Sequence, residues 1–341
     1  MANGMSREIH LKNRPVGMPR QSDFELVQVP IPQVSEGHFL VQNLYISVDP
    51  YMRGRMHERK SYVPPFQIDR PMEGGSVGRV IESKNDQFQI NDFVLGMQGW
   101  REYFVSNGQD VLKVDPSLAP IQAYLGTVGM PGLTAYYGLL DIGKPKEGET
   151  VFVSASAGAV GSIVCQIAKL KGCHVIGSCG SDEKVAWLME EVGIDAAFNY
   201  KKVDDVIAEV GKKCPEGIDV YFENVGGVHL EAALQHMNTH GRIVMCGMIS
   251  MYNDTEPTPG PTNLFFTITK QLTMQGFIVS DHFDKLGTFY ADMGRWISQG
   301  KIQWKETIVD GIENATAAFL GLFKGKNLGK MLVRVGPDPT V

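Results

Sequence analysis

Ser156, Gly158 and Gly161 stand at the spacing of the G-x-G-x-x-G turn that cradles a dinucleotide pyrophosphate, with its first glycine replaced by serine. They fall in VFVSASAGAVGSIVCQIAKL (151–170), where Val151 to Val153 predict a short buried strand and Val160, Ile163, Val164, Ile167 and Leu170 keep helical spacing. Gly158 would let the backbone approach a pyrophosphate, Gly161 would allow close helix-to-strand packing, and the helix N-terminus favours an anion. Taken alone, an incomplete G-x-x-G is equally well explained as packing at a βα corner. The flanking strand and helix, with five further strand signals downstream, favour the dinucleotide site.

The next strand, HVIGSC, runs into Cys179, Gly180 and Ser181, small uncharged residues where an NAD site places Asp or Glu on the ribose 2′-hydroxyl. Lys184 follows one helical turn later and can pair with a 2′-phosphate. Asp182 and Glu183 suit the first turn of a helix. The pattern favours NADP(H) over NAD(H).

Other chemistry-bearing residues are less eloquent. His236 and His240 in HMNTH have i, i+4 spacing but no acid between them, and the segment ends at Gly241 before a strand, so they read as ordinary histidines at a helix end. Cys165, Cys173, Cys179, Cys214 and Cys246 form an odd set without C-x-x-C, as expected of free, buried thiols in a reducing compartment. The 16 methionines follow no repeated spacing and suit core and pocket filling.

The elements that must position these residues come in two styles. Up to about residue 125, short alternating runs (FELVQVPIP, HFLVQNLYISVDP, GSVGRVIES, DFVLGM, REYFVS) predict a mostly antiparallel β domain, a barrel or sandwich. After a connecting helix in PGLTAYYGLLDIG, the strands TVFVSAS, HVIGSC, AAFNY, DVYFENV, GRIVMCG and LTMQGFIV alternate with helices such as DEKVAWLMEEVG and GVHLEAALQHM, which predicts βαβ units on a parallel sheet. KETIVDGI, ENATAAFLGLFKG and GKMLVRV return to the first style, so an α/β domain over 126–302 reads as an insertion between a first domain part at 1–125 and a second at 303–341. A chain of 341 residues is long enough for two cores. A net charge of −6 and no run of Lys or Arg make nucleic acid an improbable partner. No apolar signal segment and no run of 18 apolar residues occur, which leads us to expect a cytoplasmic chain without a membrane association.

The sequence resembles the zinc-independent medium-chain dehydrogenase/reductases, and within them the NADP-dependent alkenal, prostaglandin and curcumin reductases. The resemblance spans nearly the whole chain and is carried by SVDPYMRGRM (47–56), GMPGLTAYYGLLDIG (129–143), SASAGAVGS (154–162), GSDEK (180–184), FNYKK (198–202), DVYFENVGG (219–227), CGMISMYN (246–253), KETIVDGIENATAAF (305–319) and NLGKMLV (327–333). It implies a GroES-like β-barrel catalytic domain and a doubly wound Rossmann domain, with NADP(H) between them. It further implies that Met130, Thr134 and the turn Gly158, Ala159, Val160 face the phosphates, and that Gly180, Lys184 and Tyr200 surround the 2′-phosphate. Asn224, Cys246, Gly247, Ser250 and Tyr252, with Phe277, Ile278 and Val279, would line the ribose and nicotinamide side, and Asn327 would close over the cofactor. Tyr51 and Tyr252 are the residues it assigns to the substrate and to catalysis; either tyrosine alone would read as an amphipathic surface residue.

Zinc-dependent members of the superfamily need a cysteine and a histidine around an open position. This chain has no cysteine before Cys165, and RPMEGGSVG offers Glu73 without a histidine, so no metal is expected and simple alcohol oxidation loses its Lewis acid. The reaction implied is NADPH-dependent reduction of the carbon–carbon double bond of an α,β-unsaturated ketone or aldehyde, with hydride going to the β-carbon. Tyr252 and the nicotinamide ribose would stabilise the enolate, and Tyr252 or water would protonate the α-carbon. A quinone reductase of the same superfamily and a non-catalytic NADP-binding protein are the rival readings. The resemblance also implies a homodimer, with pairing of edge strands near LTMQGFIV.

Overall fold

Alternating apolar residues build the early strands: β1 (Met5–Leu11), β2 (Phe24–Pro30), β3 (Phe39–Ser47), β4 (Ser76–Ser83), β5 (Phe93–Gly96), β6 (Tyr103–Ser106) and β7 (Val111–Val114), with one helical turn, α1 (Met52–Arg55), after β3. Strands and helices then alternate: α2 (Met130–Tyr137), β8 (Thr150–Val153), α3 (Gly161–Leu170), β9 (His174–Cys179), α4 (Asp182–Trp187), β10 (Ala196–Asn199), α5 (Val206–Lys213) and β11 (Ile218–Glu223). They continue through α6 (Val228–His236), β12 (Met237–Met245), α7 (Phe266–Thr269), β13 (Thr273–Gly276) and α8 (Leu286–Ser298), and the chain closes with β14 (Glu306–Asp310), α9 (Ala315–Leu322) and β15 (Lys330–Arg334). The computed structural model describes residues 4–340, and no helix among them is long and apolar enough to cross a membrane. The chain divides into two units, Met130–Lys305 and the remainder on either side of it.

The flanking unit holds a seven-stranded sheet of order β14-β15-β3-β4-β5-β7, with β6 also paired to β3 and a separate antiparallel β1–β2 ribbon. Its sheet is mixed, because β14 and β15 run parallel while β15 and β3 are antiparallel. An aromatic cluster docks α9: Phe319 meets Trp100 and Phe24 edge-on at 6.0 and 6.2 Å, and Phe24 stacks on Trp100 at 6.1 Å. Further round this core, the buried Lys330 ammonium lies 3.0 Å from Asp49 Oδ1 and donates to the Val48 and Met331 carbonyls. Strand β15 is thereby tied to the loop that leads into α1.

The other unit is a six-stranded parallel sheet of order β10-β9-β8-β11-β12-β13. Renumbered within the unit this is 3-2-1-4-5-6, the doubly wound Rossmann order, and the winding reverses between β8 and β11. Phe152, Ile176, Tyr221 and Ile243 are fully buried in it, as a parallel sheet covered on both faces requires.

Two local readings need amendment. His236 and His240 do not share a helix end: α6 stops at His236, Met237 is buried opposite Ile218, and His240 lies inside β12 with φ +64°. Burial of Met237 in the sheet, together with the register shift between Ile218 and Val220, draws the chain into strand four residues earlier than Gly241. The connecting helix runs through PGLTAYYGLLDIG as read, but GLLDIG continues α2 as a wider π turn over Gly138–Gly143, so it is not regular.

Candidate active site

The turn from β8 to α3 begins at Ser154 and passes through Ala155, whose φ is +48°. A Cβ at Gly161 would lie 2.4 Å from the Ala155 carbonyl oxygen, so only glycine lets the helix start that close to the turn. A Cβ at Gly158 would meet nothing nearer than that same oxygen at 3.2 Å, which leaves its outer side open. Ser156 takes the place of the first glycine: it is fully buried and bonds the Ser178 carbonyl of β9 through both its N–H, at 3.0 Å, and its hydroxyl, at 2.9 Å. Helix α3 has no side-chain N-cap, and among the described residues the N–H groups of Ala159, Val160 and Gly161 have no hydrogen-bond partner. Three unsatisfied donors at a helix start fit an anionic phosphate. Met130 opens α2 and Thr134 follows one turn later, its hydroxyl donating to the Met130 carbonyl at 2.8 Å.

Beyond β9, the Gly180 backbone is packed so that a Cβ would lie 3.3 Å from both the Tyr200 hydroxyl and Lys201 Cε. Ser181 caps α4, accepting from the Lys184 N–H at 3.3 Å. Burial lowers the Lys184 ammonium from its ordinary pKa, and the neighbouring Lys201 lowers it further. Asp182, the residue that blurs the sequence pattern, is engaged by Lys202 and by Asn199 at 2.8 Å. Lys184, Lys201 and Lys202 thus gather near Gly180, a setting that suits a 2′-phosphate.

At the reversal point, the Asn224 N–H donates to Ser154 Oγ at 2.9 Å and its side-chain amide to the Ser154 carbonyl at 2.8 Å, joining the ends of β8 and β11. Cys246, Gly247, Tyr252, Phe277 and Ile278 line an open pocket of about 610 Å³ beyond the carboxyl ends of β12 and β13. Gly247 is there because a Cβ would sit 3.1 Å from the Tyr252 hydroxyl. That hydroxyl accepts from the Met248 N–H at 3.4 Å, while Ser250 donates to the Val225 carbonyl at 2.5 Å. Burial, with Glu223 adding, pushes the Cys246 thiol up to about 12, so it stays protonated. Val279 is not among the residues that line this pocket; it opens the 3-10 segment that follows Ile278.

Tyr51 and Asn327 belong to the other unit. The Tyr51 hydroxyl is buried without a hydrogen-bond partner, and burial together with the charge of Asp49 raises its pKa far above that of a free phenol. Asn327 turns its amide to the Gly329 carbonyl at 2.8 Å, at the start of β15. Glu73 pairs with Arg55 at 2.6 Å, and among the described residues no three His, Cys, Asp or Glu side chains gather as metal ligands would.

The residue that sequence reasoning passes over is Glu223, completely buried at the end of β11 beside Asn224. A signal for it exists: an acid closing an otherwise apolar strand at the turn DVYFENVGG.

Residues 7–114 match the family described as the N-terminal domain of oxidoreductase, and residues 159–298 the one described as zinc-binding dehydrogenase. The chain is 48% identical to bovine (Bos taurus) prostaglandin reductase 1, over 95% of its own length and 97% of the relative's. It is 45% identical to the NADP(+)-dependent 2-alkenal reductase of Nicotiana tabacum, over 98% of both, and 45% identical to the NADPH-dependent curcumin reductase of Escherichia coli, over 96% of both. This chain belongs to the zinc-independent medium-chain dehydrogenase/reductases. A crystal structure of CurA from Vibrio vulnificus in complex with NADPH superposes with a TM-score of 0.93 at 45% identity, covering 97% of this chain and all of that one. Within the family, the chain sits with the curcumin, alkenal and prostaglandin reductases.

Proposed function

We propose that this chain is an NADPH-dependent reductase of the carbon–carbon double bond in α,β-unsaturated ketones and aldehydes. The observation that carries the reading is the set of vacant donors at the start of α3 beside a cationic Gly180 and Lys184 corner, in a chain nearly half identical to NADP-dependent reductases from end to end. When bound, NADPH supplies the hydride that adds to the β-carbon of the conjugated carbonyl. The turn Gly158, Ala159, Val160 would hold the pyrophosphate, with Met130 and Thr134 on α2 as further phosphate-side residues; Gly180, Lys184 and Tyr200 would hold the 2′-phosphate. Asn224, Cys246, Gly247, Ser250, Phe277, Ile278 and Val279 would fix the nicotinamide half, and Asn327 is a further residue proposed to bind the cofactor.

Charge that moves onto the substrate carbonyl oxygen needs a donor aimed at it, and the Tyr252 hydroxyl, at the wall of the apolar pocket, supports that role. The orphaned Tyr51 hydroxyl supports the substrate role proposed for that residue, because a buried hydroxyl left unpaired in the protein is one a ligand can pair. A Tyr252→Phe variant should lose turnover by about 10²- to 10³-fold, the cost of one oxyanion donor, and still bind NADPH.

The deciding assay follows NADPH absorbance with a medium-chain 2-alkenal, its saturated analogue and a quinone, with an NADH control. Consumption with NADPH and the unsaturated carbonyl, yielding the saturated product, is expected. Activity confined to the quinone would overturn the substrate assignment, and silence with all acceptors despite NADPH binding would leave a binding protein. A homodimer in the cytoplasm completes the reading. It is supported by the open edge of β13 and by Leu264, Phe265 and Ile268, which are exposed beside it.

A further inference from the structure

Among the described residues, Glu223 is the one carboxyl in the Rossmann unit that is fully buried, and its two oxygens are treated very differently. Oε1 accepts from the Tyr221 hydroxyl at 2.8 Å, the Ser154 hydroxyl at 3.0 Å, the Val225 N–H at 2.6 Å and the Gly226 N–H at 2.9 Å. Oε2 is buried with no partner at all. Four donors on one oxygen are more than a merely solvated acid collects, and removing that acceptor would leave buried N–H and O–H groups unsatisfied.

Two of those donors, the Val225 and Gly226 N–H groups, belong to the turn that follows, while Tyr221 and Ser154 tie the same oxygen to β11 and to the end of β8. Gly226 and Gly227 are in left-handed conformations, φ +79° and +55°, and the Val225 and Asn224 carbonyls accept from the Ser250 and Ile249 N–H groups at 3.0 and 3.2 Å. That 3-10 turn, Ile249–Met251, ends at Tyr252. The backbone carbonyl of Glu223 itself accepts from the Cys246 and Gly247 N–H groups, both at 3.0 Å. One residue thus anchors the wall of the pocket that carries Cys246 and Gly247 and, through the turn, the segment that ends at Tyr252.

We infer that Glu223 is a positioning residue: through Oε1 it holds the Asn224–Gly227 turn, and through that turn Asn224 against the cofactor site and Tyr252 against the substrate. Burial pushes its pKa above the ordinary carboxylate value while the donors at Oε1 oppose the shift. The inference rests on the proposed cofactor site, and its test separates the two. NADPH binding is read by fluorescence transfer without substrate, alongside turnover at saturating NADPH and cofactor-free melting, for wild type, Glu223→Gln and Glu223→Leu.

Glu223→Gln keeps an acceptor oxygen and is expected to bind NADPH within about threefold of wild type, whereas Glu223→Leu should bind at least about tenfold more weakly and lose turnover that added NADPH does not restore. A folded Glu223→Leu protein with wild-type binding and turnover would overturn the inference, as would a Glu223→Gln protein as damaged as Glu223→Leu. If Glu223→Leu does not melt cooperatively, Ser154→Ala decides, since it leaves the carboxyl in place and removes one donor and the acceptor of the Asn224 N–H. Its NADPH affinity should fall about fivefold or more, and unchanged affinity overturns the inference. Wild-type protein that fails to bind NADPH would overturn the cofactor reading itself.

Discussion

Lys184 is the residue whose proposed role is most legible from spacing, because the absence of an acid after HVIGSC and a lysine one helical turn later can both be read along the chain. The fold adds why the neighbouring Asp182 does not interfere: Lys202 and Asn199 hold it. Lys184→Ala should lower kcat/KM for NADPH by about 10- to 100-fold and leave the NADH value within about twofold, the difference being one charge-assisted contact. Equal losses with both nucleotides would remove Lys184 from the 2′-phosphate. His229 makes the opposite point. It is buried on α6 with its ring edge-on to Tyr200 at 5.1 Å, its Nε2 is unpartnered, and burial lowers its pKa to about 4. An unfolded chain takes up this proton below about pH 6.5, the folded chain only near pH 4, so stability is whole above that window and is lost as pH falls through it. The full difference is about 3 kcal/mol. Cofactor-free melting between pH 7.5 and 5 should show the slope, and His229→Phe should flatten it; a slope that survives the substitution belongs to other groups. Nothing in GGVHLEAAL announces this, since burial of one histidine is decided by the sheet it packs on.

At the scale of elements, the strand–turn–helix from Val151 to Leu170 is readable because a period-two run changes to helical spacing across a glycine turn. The division of labour between its two glycines is readable as well, and it can be measured. Gly161→Ala would drive a Cβ to within 2.4 Å of the Ala155 carbonyl, so cofactor-free stability should drop by about 1–3 kcal/mol. Gly158→Ala puts a Cβ 3.2 Å from the Ala155 carbonyl, a milder crowding than at Gly161, so it should melt closer to wild type than Gly161→Ala and weaken NADPH binding instead, as the proposed close approach of the backbone to the pyrophosphate requires. A Gly158→Ala protein with full affinity would place the pyrophosphate elsewhere. Less legible are β1 and the early start of β12. In MSREIHL charged residues stand between the apolar ones, and the strand is held by pairing with β2 and by the Arg7–Glu102 ion pair at 2.7 Å, partners distant in sequence. In HMNTH, burial of Met237 opposite Ile218 overrides a polar, helix-like pattern. Local pattern fixes elements that carry their own periodicity, and long-range pairing fixes those that do not.

For the whole molecule, the change from alternating runs to βαβ units reveals the fold class, because each style admits few ways of covering its apolar faces. Assembly is a different matter, since apolar patterning alone does not say which strand is left at an edge; LTMQGFIV is marked only by the resemblance. Strand β13 closes the parallel sheet, pairs with β12 alone among the described residues, and is largely exposed. An open edge of this kind invites aggregation unless another chain covers it. Ile268 is 78% exposed and Phe265 57%, and with Leu264 they place apolar surface on the segment that leads into that edge. We propose that a second copy covers both. Light scattering should then give twice the chain mass, and Ile268→Glu, which puts a charge into the apolar patch without touching any residue assigned to the cofactor, should give a folded monomer. Wild-type protein that runs as a monomer at micromolar concentration would leave the patch to another use, and an Ile268→Glu dimer of undiminished stability would move the interface away from β13.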